Sequence, residues 1–330
     1  MFSIRTASRI LGFLVTALLS IYAATSQAAP LKPVTYLLPS FASSPAFAPW
    51  IIARAKGYYA QAGLEVNFVA CKGGLDVARR LHQGEGLAGG AMGETSIIAR
   101  DQGLDVRAIA ILGGGAFTQL AVHEDSDIHS LAGLKGKSVA VMSNHDTSYY
   151  GVLMALRVAR TPREQVDIQA LGSAGVWQNF ATHRVDAMAA TPDWVVRAER
   201  SGARVRLLEE KTFHGMAQAI LASERAIADD PETLKAFTAA TLAGMQDIMQ
   251  SPRAAAEVFA SAMPSANKQV DALERIFALY AERVYRGQER LGSIPRQRLA
   301  DIQRLYHTEG LIREERPVDS LFWAAAVPAR

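Results

Sequence analysis

The chain alternates between strand-like and helix-like spacings of apolar residues, and it does so in two separate series. The first series opens with VTYLLP at residues 34–39 and closes with VRAIAIL at 106–112, an apolar run without a polar face. The second opens at 138–142 and closes with VRLL at 205–208. Continuous apolar runs are typical of strands that are covered on both faces. Repeated strand–helix units therefore predict parallel sheets flanked by helices.

Helices and further strands fill the intervals within each series. Gly63 follows the first helical pattern, at a position where glycine commonly ends a helix. After it, Leu64, Val66 and Phe68 alternate with polar residues, which predicts a half-buried strand. Helices are predicted near residues 50–61, 75–83, 95–102, 147–160 and 176–183, and strands near 166–170 and 185–190.

Two extended segments, Gln119–His123 and Met216–Ala222, separate the series. They predict that the chain crosses from one lobe into a second and then returns, and the part after Pro231 is predicted to be mostly helical. We therefore predict an α/β fold of two lobes, with mainly parallel sheets flanked by helices, a helical C-terminal part and a cleft between the lobes. Ligands of open α/β sheets lie beyond the carboxyl ends of the strands, so the cleft is the expected binding site. The predicted divisions are 1–28, a signal peptide; 29–121, the first part of lobe 1; 122–217, lobe 2; and 218–330, the return to lobe 1 with the C-terminal helices.

The first 28 residues have the features of a secretory signal peptide. Arg5 and Arg9 give a basic start, an apolar stretch covers Ile10–Ala24, and Ser26-Gln27-Ala28 is a small-x-small cleavage signal. A single anchoring helix is the alternative, but the apolar stretch is shorter than the roughly 20 residues that span a bilayer. We expect cleavage after Ala28 and a periplasmic protein.

Composition excludes several other classes of protein. Hydrophobic residues make up 49% of the 330 residues, which is enough for a large core. Without residues 1–28 the chain has 33 basic and 32 acidic side chains, so no excess of positive charge indicates nucleic-acid binding. Cys71 is the only cysteine in the sequence, so neither an internal disulfide nor a cysteine metal site can form.

Two loops of lobe 1 precede helices and are expected to face the cleft. Ser43 and Ser44 lie just ahead of the first helix, where hydroxyls and free N–H groups favour anions or carbonyl oxygens. Alternatively, Ser44 only caps that helix. Glu94 and Thr95 stand at the start of the third helix. Glu94 is a candidate acceptor for an amine or for ring amino groups, or it only interacts favourably with the helix dipole.

Short polar side chains are concentrated in VAVMSNHDTSYYG at 139–151, between a predicted strand and a predicted helix. One of them, Asp146 or Thr147, is sufficient to cap the helix. The others exceed what a turn requires, so at least two are expected to contact a ligand. The candidates in this stretch are Asn144, His145, Thr147, Ser148 and Tyr149.

Aromatic residues fall at several predicted loop–helix junctions, where they suit a flat ring or exclude water around a small polar ligand. They are Phe47, Trp50, Tyr149, Tyr150, Trp177 and Trp194. The alternative for each is an ordinary core position. Trp50, Trp177 and Trp194 are candidate binding residues, and Asp193 either bonds a ligand amine or supports the start of its helix.

The sequence contains no nucleophile elbow, Walker loop or zinc-binding helix motif. Its seven histidines are scattered without ligand spacing. The glycine run Gly113–Gly115 is interpreted as a flexible junction next to the first crossing. We therefore expect no catalytic residue, no metal and no cofactor.

Four segments occur in order along the chain: KGYYAQAGLEVNFV (56–69), ARDQGLDVRAIAIL (99–112), LKGKSVAV (134–141) and HRVDAMAATPDW (183–194). Together they resemble the periplasmic solute-binding proteins of ABC importers for nitrate, sulfonates and taurine. The same superfamily includes binding proteins for pyrimidine precursors of thiamine. The resemblance extends over residues 34–250.

This resemblance implies a binding protein that captures a small molecule by closing two lobes about a hinge. It also implies delivery to an ABC permease in the inner membrane, and we expect a monomer. The ligand stays open between a small organic anion of the sulfonate or taurine type and a ring-bearing molecule such as a pyrimidine. Two alternative functions are a ligand-sensing subunit and a secreted enzyme related to thiamine-pyrimidine synthases. The enzymes of that branch use a cysteine-rich motif, which a chain with Cys71 alone lacks.

Overall fold

The structure is a computed structural model that describes residues 30–144, 146–208, 215–264 and 269–328. The predicted signal peptide, its cleavage site after Ala28 and the candidate residue His145 lie outside these described residues. Within the described ranges, every helix is too short or too polar to span a lipid bilayer.

The strands of the described chain form two five-stranded sheets, one in each lobe. They are β1 (Lys32–Leu38), β2 (Leu64–Ala70), β3 (Ala88–Met92), β4 (Val106–Ile111), β5 (Gln119–His123), β6 (Ser138–Val141), β7 (Asp167–Ala170), β8 (Ala187–Ala190), β9 (Val205–Leu207) and β10 (Gln218–Ser223). The order is β2-β1-β3-β10-β4 in lobe 1 and β7-β6-β8-β5-β9 in lobe 2. The predicted two-lobe α/β fold is confirmed.

Each sheet contains one strand that runs against the other four. β10 pairs antiparallel with β3 and β4, and β5 pairs antiparallel with β8 and β9. These are the two crossing strands. Each one enters its sheet from the side of the other lobe, so it starts at the cleft edge, where the remaining strands end. The sheets are therefore mixed, although four of the five strands in each share one direction.

The crossing from lobe 1 to lobe 2 lies slightly earlier than the predicted division at residues 121 and 122. β5 begins at Gln119 and pairs with β8 and β9, so that division falls inside a strand of lobe 2. We place the first crossing at residues 116–118. The return crossing lies at Met216 and Ala217, just before β10.

The glycine run before the first crossing is closely packed, which corrects its interpretation as a flexible junction. Gly114 N donates to the carbonyl oxygen of Arg286, and Gly115 N donates to that of Val284, both over 3.0 Å. A Cβ atom at Gly115 would overlap the carbonyl oxygen of Arg283. Only glycine allows two backbone segments to approach this closely. The junction is therefore braced by the C-terminal part of the chain.

Helices cover both sheets. They are α1 (Ala48–Ala55), α2 (Tyr58–Gln61), α3 (Gly74–Gln83), α4 (Thr95–Asp101), α5 (Thr147–Val158), α6 (Gly172–Ala181), α7 (Pro192–Arg200), α8 (Glu224–Asp229), α9 (Pro231–Gln250), α10 (Pro252–Ala262), α11 (Val270–Leu279) and α12 (Arg296–Thr308). A π-helical turn, Tyr280–Tyr285, extends α11. The single helix predicted over 50–61 is divided because Gly57 adopts a left-handed conformation (φ 76°), which interrupts the helical backbone.

The main core lies between the lobe 1 sheet and the helices α1 and α9. Phe237 of α9 stacks on Tyr36 and Tyr59, with ring centroids 4.8 Å and 5.0 Å apart. This core forms one continuous cluster of buried apolar residues that extends into lobe 2, where it includes Met188 and Ala190 of β8. The opposite face of the lobe 2 sheet has a smaller core of its own.

Candidate ligand-binding site

The floor of the cleft lies where the two crossing segments meet. Phe117 N donates to the carbonyl oxygen of Met216, and Gly93 N, at the end of β3, donates to that of Ala217; both distances are 3.0 Å. The side chains of Phe117 and Met216 are buried. Gly93, directly after β3, therefore joins the lobe 1 wall of the cleft to this floor.

Glu94 is the principal polar group of this wall. It precedes α4 without capping it, and only 4% of the residue is exposed. Its Oε2 atom has no hydrogen-bond partner among the described residues. Burial raises the pKa of Glu94 to about 7, while the backbone N–H groups of Glu94 and Met216 and the guanidinium of Arg298 act in the opposite direction. The buried carboxyl can therefore accept a further hydrogen bond, which would stabilise its charged form.

Asp193 is a second buried carboxyl, contributed by lobe 2. It lies in the first turn of α7, is 8% exposed and accepts a hydrogen bond of 2.5 Å from the hydroxyl of Thr191. Burial raises its pKa. Burial raises the pKa of Tyr280, and the charge of the neighbouring Asp193 raises it further. The buried hydroxyl of Tyr280 has no hydrogen-bond partner among the described residues. The ring of Tyr280 lies 5.8 Å from that of Phe117 at the cleft floor.

Tyr306 of α12 lies between the two lobes. Its ring centroid is 5.3 Å from that of Tyr150 in lobe 2, and the side chain is buried. Burial raises the pKa of Tyr306, and the neighbouring Glu94, Tyr150 and Asp146 raise it further. Since Glu94 belongs to lobe 1 and Tyr150 to lobe 2, Tyr306 lies near both walls of the cleft.

This arrangement suits a neutral ligand that donates hydrogen bonds. Two buried carboxyls with raised pKa values accept N–H or O–H groups, and the tyrosine rings provide apolar walls. In their ionised form these carboxyls would repel a bare anion placed beside them. Within the described residues, no group of three or more His, Cys, Asp or Glu side chains is placed to hold a metal ion.

Two side chains of the polar stretch at 139–151 form hydrogen bonds within the stretch itself. Asp146 caps α5 by accepting from Tyr149 N (3.3 Å) and from the hydroxyl of Ser148 (2.8 Å). Ser148 Oγ also accepts from Met142 N (3.0 Å). Asn144 is exposed, Thr147 is half-buried, and Tyr149 packs against the small core of lobe 2. Ligand contact by these residues stays a prediction.

The two candidate serines ahead of α1 have different surroundings. Ser44 Oγ accepts from Ala46 N (3.4 Å) and so caps the short turn Pro45–Phe47. Ser43 is exposed and lines a surface groove of about 320 Å³ together with Arg197. Contact of Ser43 and Ser44 with a ligand stays a prediction.

The remaining candidates are packed to different degrees. Trp50 is fully buried and stacks on Tyr36 at 5.6 Å, as an ordinary core residue would. Thr95 is buried next to Glu94. Trp177 and Trp194 are half-buried against the main core.

Sequence reasoning missed Tyr280, Arg298 and Tyr306, which all belong to the C-terminal part. The only signal there was helical spacing, such as Leu299, Ile302 and Leu305 along α12. This spacing predicts a buried face, but it does not indicate what the face contacts.

The single cysteine lies at the end of β2. Its sulfur accepts from Arg80 Nη1 at 3.1 Å, and partial burial raises the pKa of the thiol. A nucleophilic cysteine requires the opposite, a lowered pKa that exposes a thiolate. The surroundings of Cys71 therefore do not activate it.

Solved structures of known proteins identify the fold. The chain matches the aliphatic sulphonate-binding protein SsuA from Escherichia coli with a TM-score of 0.68 and 18% identity, covering 90% of this chain and 92% of that one. It matches the alkanesulfonate-binding protein SsuA from Xanthomonas axonopodis pv. citri, bound to MOPS, with a TM-score of 0.67 and 17% identity, covering 90% of this chain and 100% of that one. The two lobes and the cleft between them are those of the periplasmic-binding-protein fold.

Residues 44–255 match the model of the family described as "NMT1/THI5 like", and the chain belongs to this family. A curated relative is the riboflavin-binding protein RibY of Chloroflexus aurantiacus, 29% identical over 227 residues, or 67% of this chain. The aligned part spans 64% of the length of that relative. The desulfurization enzyme DSZB shares the fold more distantly, with a TM-score of 0.57 and 14% identity over 89% of this chain and 97% of that one.

Proposed function

We propose that this chain is the substrate-binding component of an ABC importer and captures a neutral, ring-bearing molecule that donates N–H groups. The observation that carries the proposal is Glu94, a buried carboxyl at the cleft with an unpartnered oxygen. The lobes close on the ligand and present it to a permease in the inner membrane. The protein acts as a periplasmic monomer after cleavage behind Ala28, and it releases its ligand unchanged.

Riboflavin is the first ligand to test, because a relative in the aligned region is a riboflavin-binding protein. One edge of the flavin ring carries an N–H group between two carbonyls, and this N–H suits the free oxygen of Glu94. The flat ring suits the walls formed by Tyr150, Tyr306 and Tyr280. An alkanesulfonate lacks the ring and brings a negative charge towards two buried carboxyls, so it is the contrasting ligand.

The experiment is a titration of the chain starting at residue 29 with riboflavin, followed by flavin fluorescence. Thermal unfolding with an aminopyrimidine and an alkanesulfonate completes the comparison. A ligand at about 100 times its Kd adds roughly 2.7 kcal/mol to the free energy of unfolding. The proposal is supported if the ring compounds stabilise the protein and mass spectrometry shows that they are released unchanged. Stabilisation by the sulfonate alone contradicts the assigned ligand class, and conversion of the ligand contradicts the binding role.

Glu94→Gln is expected to weaken riboflavin binding by about tenfold to a hundredfold, since a hydrogen bond to a charged group contributes about 1.5–3 kcal/mol. The measurement is the Kd from the same fluorescence titration. Glu65→Gln, the same chemical change at an exposed position of β2, is the matched control and should leave the Kd unaltered. An equal Kd for Glu94→Gln and the wild type would exclude Glu94 as a ligand acceptor.

A further inference from the structure

Helix α12 and the segment after it connect the two lobes and the hinge. Arg298 Nη1 donates to the carbonyl oxygen of Gly114, in the braced glycine run, over 2.6 Å. Further along the helix, Tyr306 lies against Tyr150 of lobe 2. Just beyond its end, Glu309 is 3.6 Å from Arg157 of lobe 2. The helix thus extends from the hinge to the wall of lobe 2.

The chain after α12 is fixed to lobe 1. Arg313 N donates to Asp101 Oδ1 over 2.9 Å. Trp323 N donates to the carbonyl oxygen of Ala108 over 2.8 Å, so the segment pairs with the outer edge of β4. Because its far end is held by lobe 1, α12 keeps its place over the cleft while it touches lobe 2.

The contact between α12 and α5 is incompletely packed. A groove of about 550 Å³ lies between the two helices, lined by residues such as Met154, Val158 and Leu305. Val158 is 50% exposed in this groove. Both partners of the Arg157–Glu309 pair are also exposed, so that pair contributes little. The exposed part of this contact therefore holds α12 to lobe 2 only weakly, while the far end of the helix is held by lobe 1.

We propose that α12 is a third wall of the ligand cleft and that Tyr306 is a specificity-determining residue of the site. Tyr306 lies outside the family-matched region 44–255. It forms a ring pair with Tyr150 that limits which flat molecules fit. A ligand reaches Glu94 when α12 leaves lobe 2. The role of Tyr306 in ligand choice depends on the function proposed above, whereas its covering of Glu94 does not.

The covering of Glu94 is tested without any ligand. The chain is treated with a carbodiimide and glycine ethyl ester, and the modification of Glu94 is quantified by peptide mass spectrometry. Tyr306→Ala is expected to increase the modification severalfold, and Tyr306→Phe to keep it at the wild-type level. Thr308→Ala, at an exposed position of the same helix outside that groove, is the matched control. If Tyr306→Ala leaves the modification unchanged while circular dichroism shows a folded protein, the third wall is excluded.

Ligand choice is tested with riboflavin and with 4-aminopyrimidine as a smaller ring. Tyr306→Ala is expected to weaken riboflavin binding by about tenfold, because an aromatic contact is lost, and to change the aminopyrimidine Kd much less. Tyr306→Phe should restore the wild-type ratio of the two constants. An equal loss for both ligands would indicate general damage and overturn the specificity role. If the wild type binds neither ring compound, both the proposed function and the specificity role of Tyr306 are contradicted. The carbodiimide labelling then decides alone whether α12 is a third wall of the cleft.

Discussion

Glu94→Gln should raise the free energy of unfolding at pH 8 by about 3 kcal/mol and leave it nearly unchanged at pH 4. Burial raises the pKa of Glu94 from its ordinary 4.5 to about 7. One pH unit of pKa difference corresponds to 1.36 kcal/mol, which gives the expected size. In the unfolded chain Glu94 loses its proton near pH 4.5, and in the folded chain it keeps the proton up to about pH 7. The wild type therefore loses stability as the pH rises across this window, and the glutamine variant does not.

The measurement is urea unfolding at pH 4, 6 and 8, followed by tryptophan fluorescence. Asp193 and Asp146 also have pKa values raised by burial, but they are present in both proteins and cancel in the difference. Glu65→Gln is again the exposed control and should show no pH-dependent difference. A stabilisation of the Glu94 variant that is equal at all three pH values would contradict a buried, titrating carboxyl.

Gly115→Ala is expected to lower the free energy of unfolding by about 3 kcal/mol, at the upper end of the range for atoms added to a packed interior. The new Cβ would overlap the carbonyl oxygen of Arg283, and backbone atoms on both sides must move to admit it. The same shift would break the hydrogen bond from Gly115 N to the carbonyl oxygen of Val284. Urea unfolding at pH 7 measures the change.

Gly133→Ala is the matched control for this substitution. A Cβ there would have its nearest neighbour, Ile128 Cα, at 3.4 Å, which is ordinary van der Waals contact. Its stability should stay within about 0.5 kcal/mol of the wild type. If both variants behave alike, the glycine run is not braced against the C-terminal part in solution.

The sequence predicts the order of strands and helices well because that order is written in local spacing. The extended patterns predict the two crossing strands, and both are present as β5 and β10. Their inversion within each sheet is a property of how the lobes are joined, and no local pattern shows it. The break at Gly57 was missed because the apolar spacing continues past a residue whose backbone leaves the helix.

The candidate site was only partly accessible from the sequence for a related reason. Glu94 and Asp193 stand at predicted helix starts, so their place at the ends of strands was foreseeable. Their burial depends on how the lobes and the C-terminal helices pack, which local spacing does not encode. Tyr306 illustrates the limit, because it reaches Tyr150 from more than 150 positions away in the sequence. The polar stretch at 139–151 predicts a cap at Asp146 or Thr147, and the cap is Asp146. Contact of this stretch with a ligand stays a prediction.

The inverted strands have a consequence for the order in which the two sheets can form. All strands of the lobe 2 sheet come from one continuous segment, residues 119–207. In lobe 1, β10 inserts between β3 and β4, so β4 joins the rest of that sheet only when residues 218–223 are present. Pairings between distant segments form slowly because a long loop must close first. The lobe 2 sheet can thus pair its strands within one continuous segment, whereas the lobe 1 sheet is completed only after the whole of that segment has been synthesised.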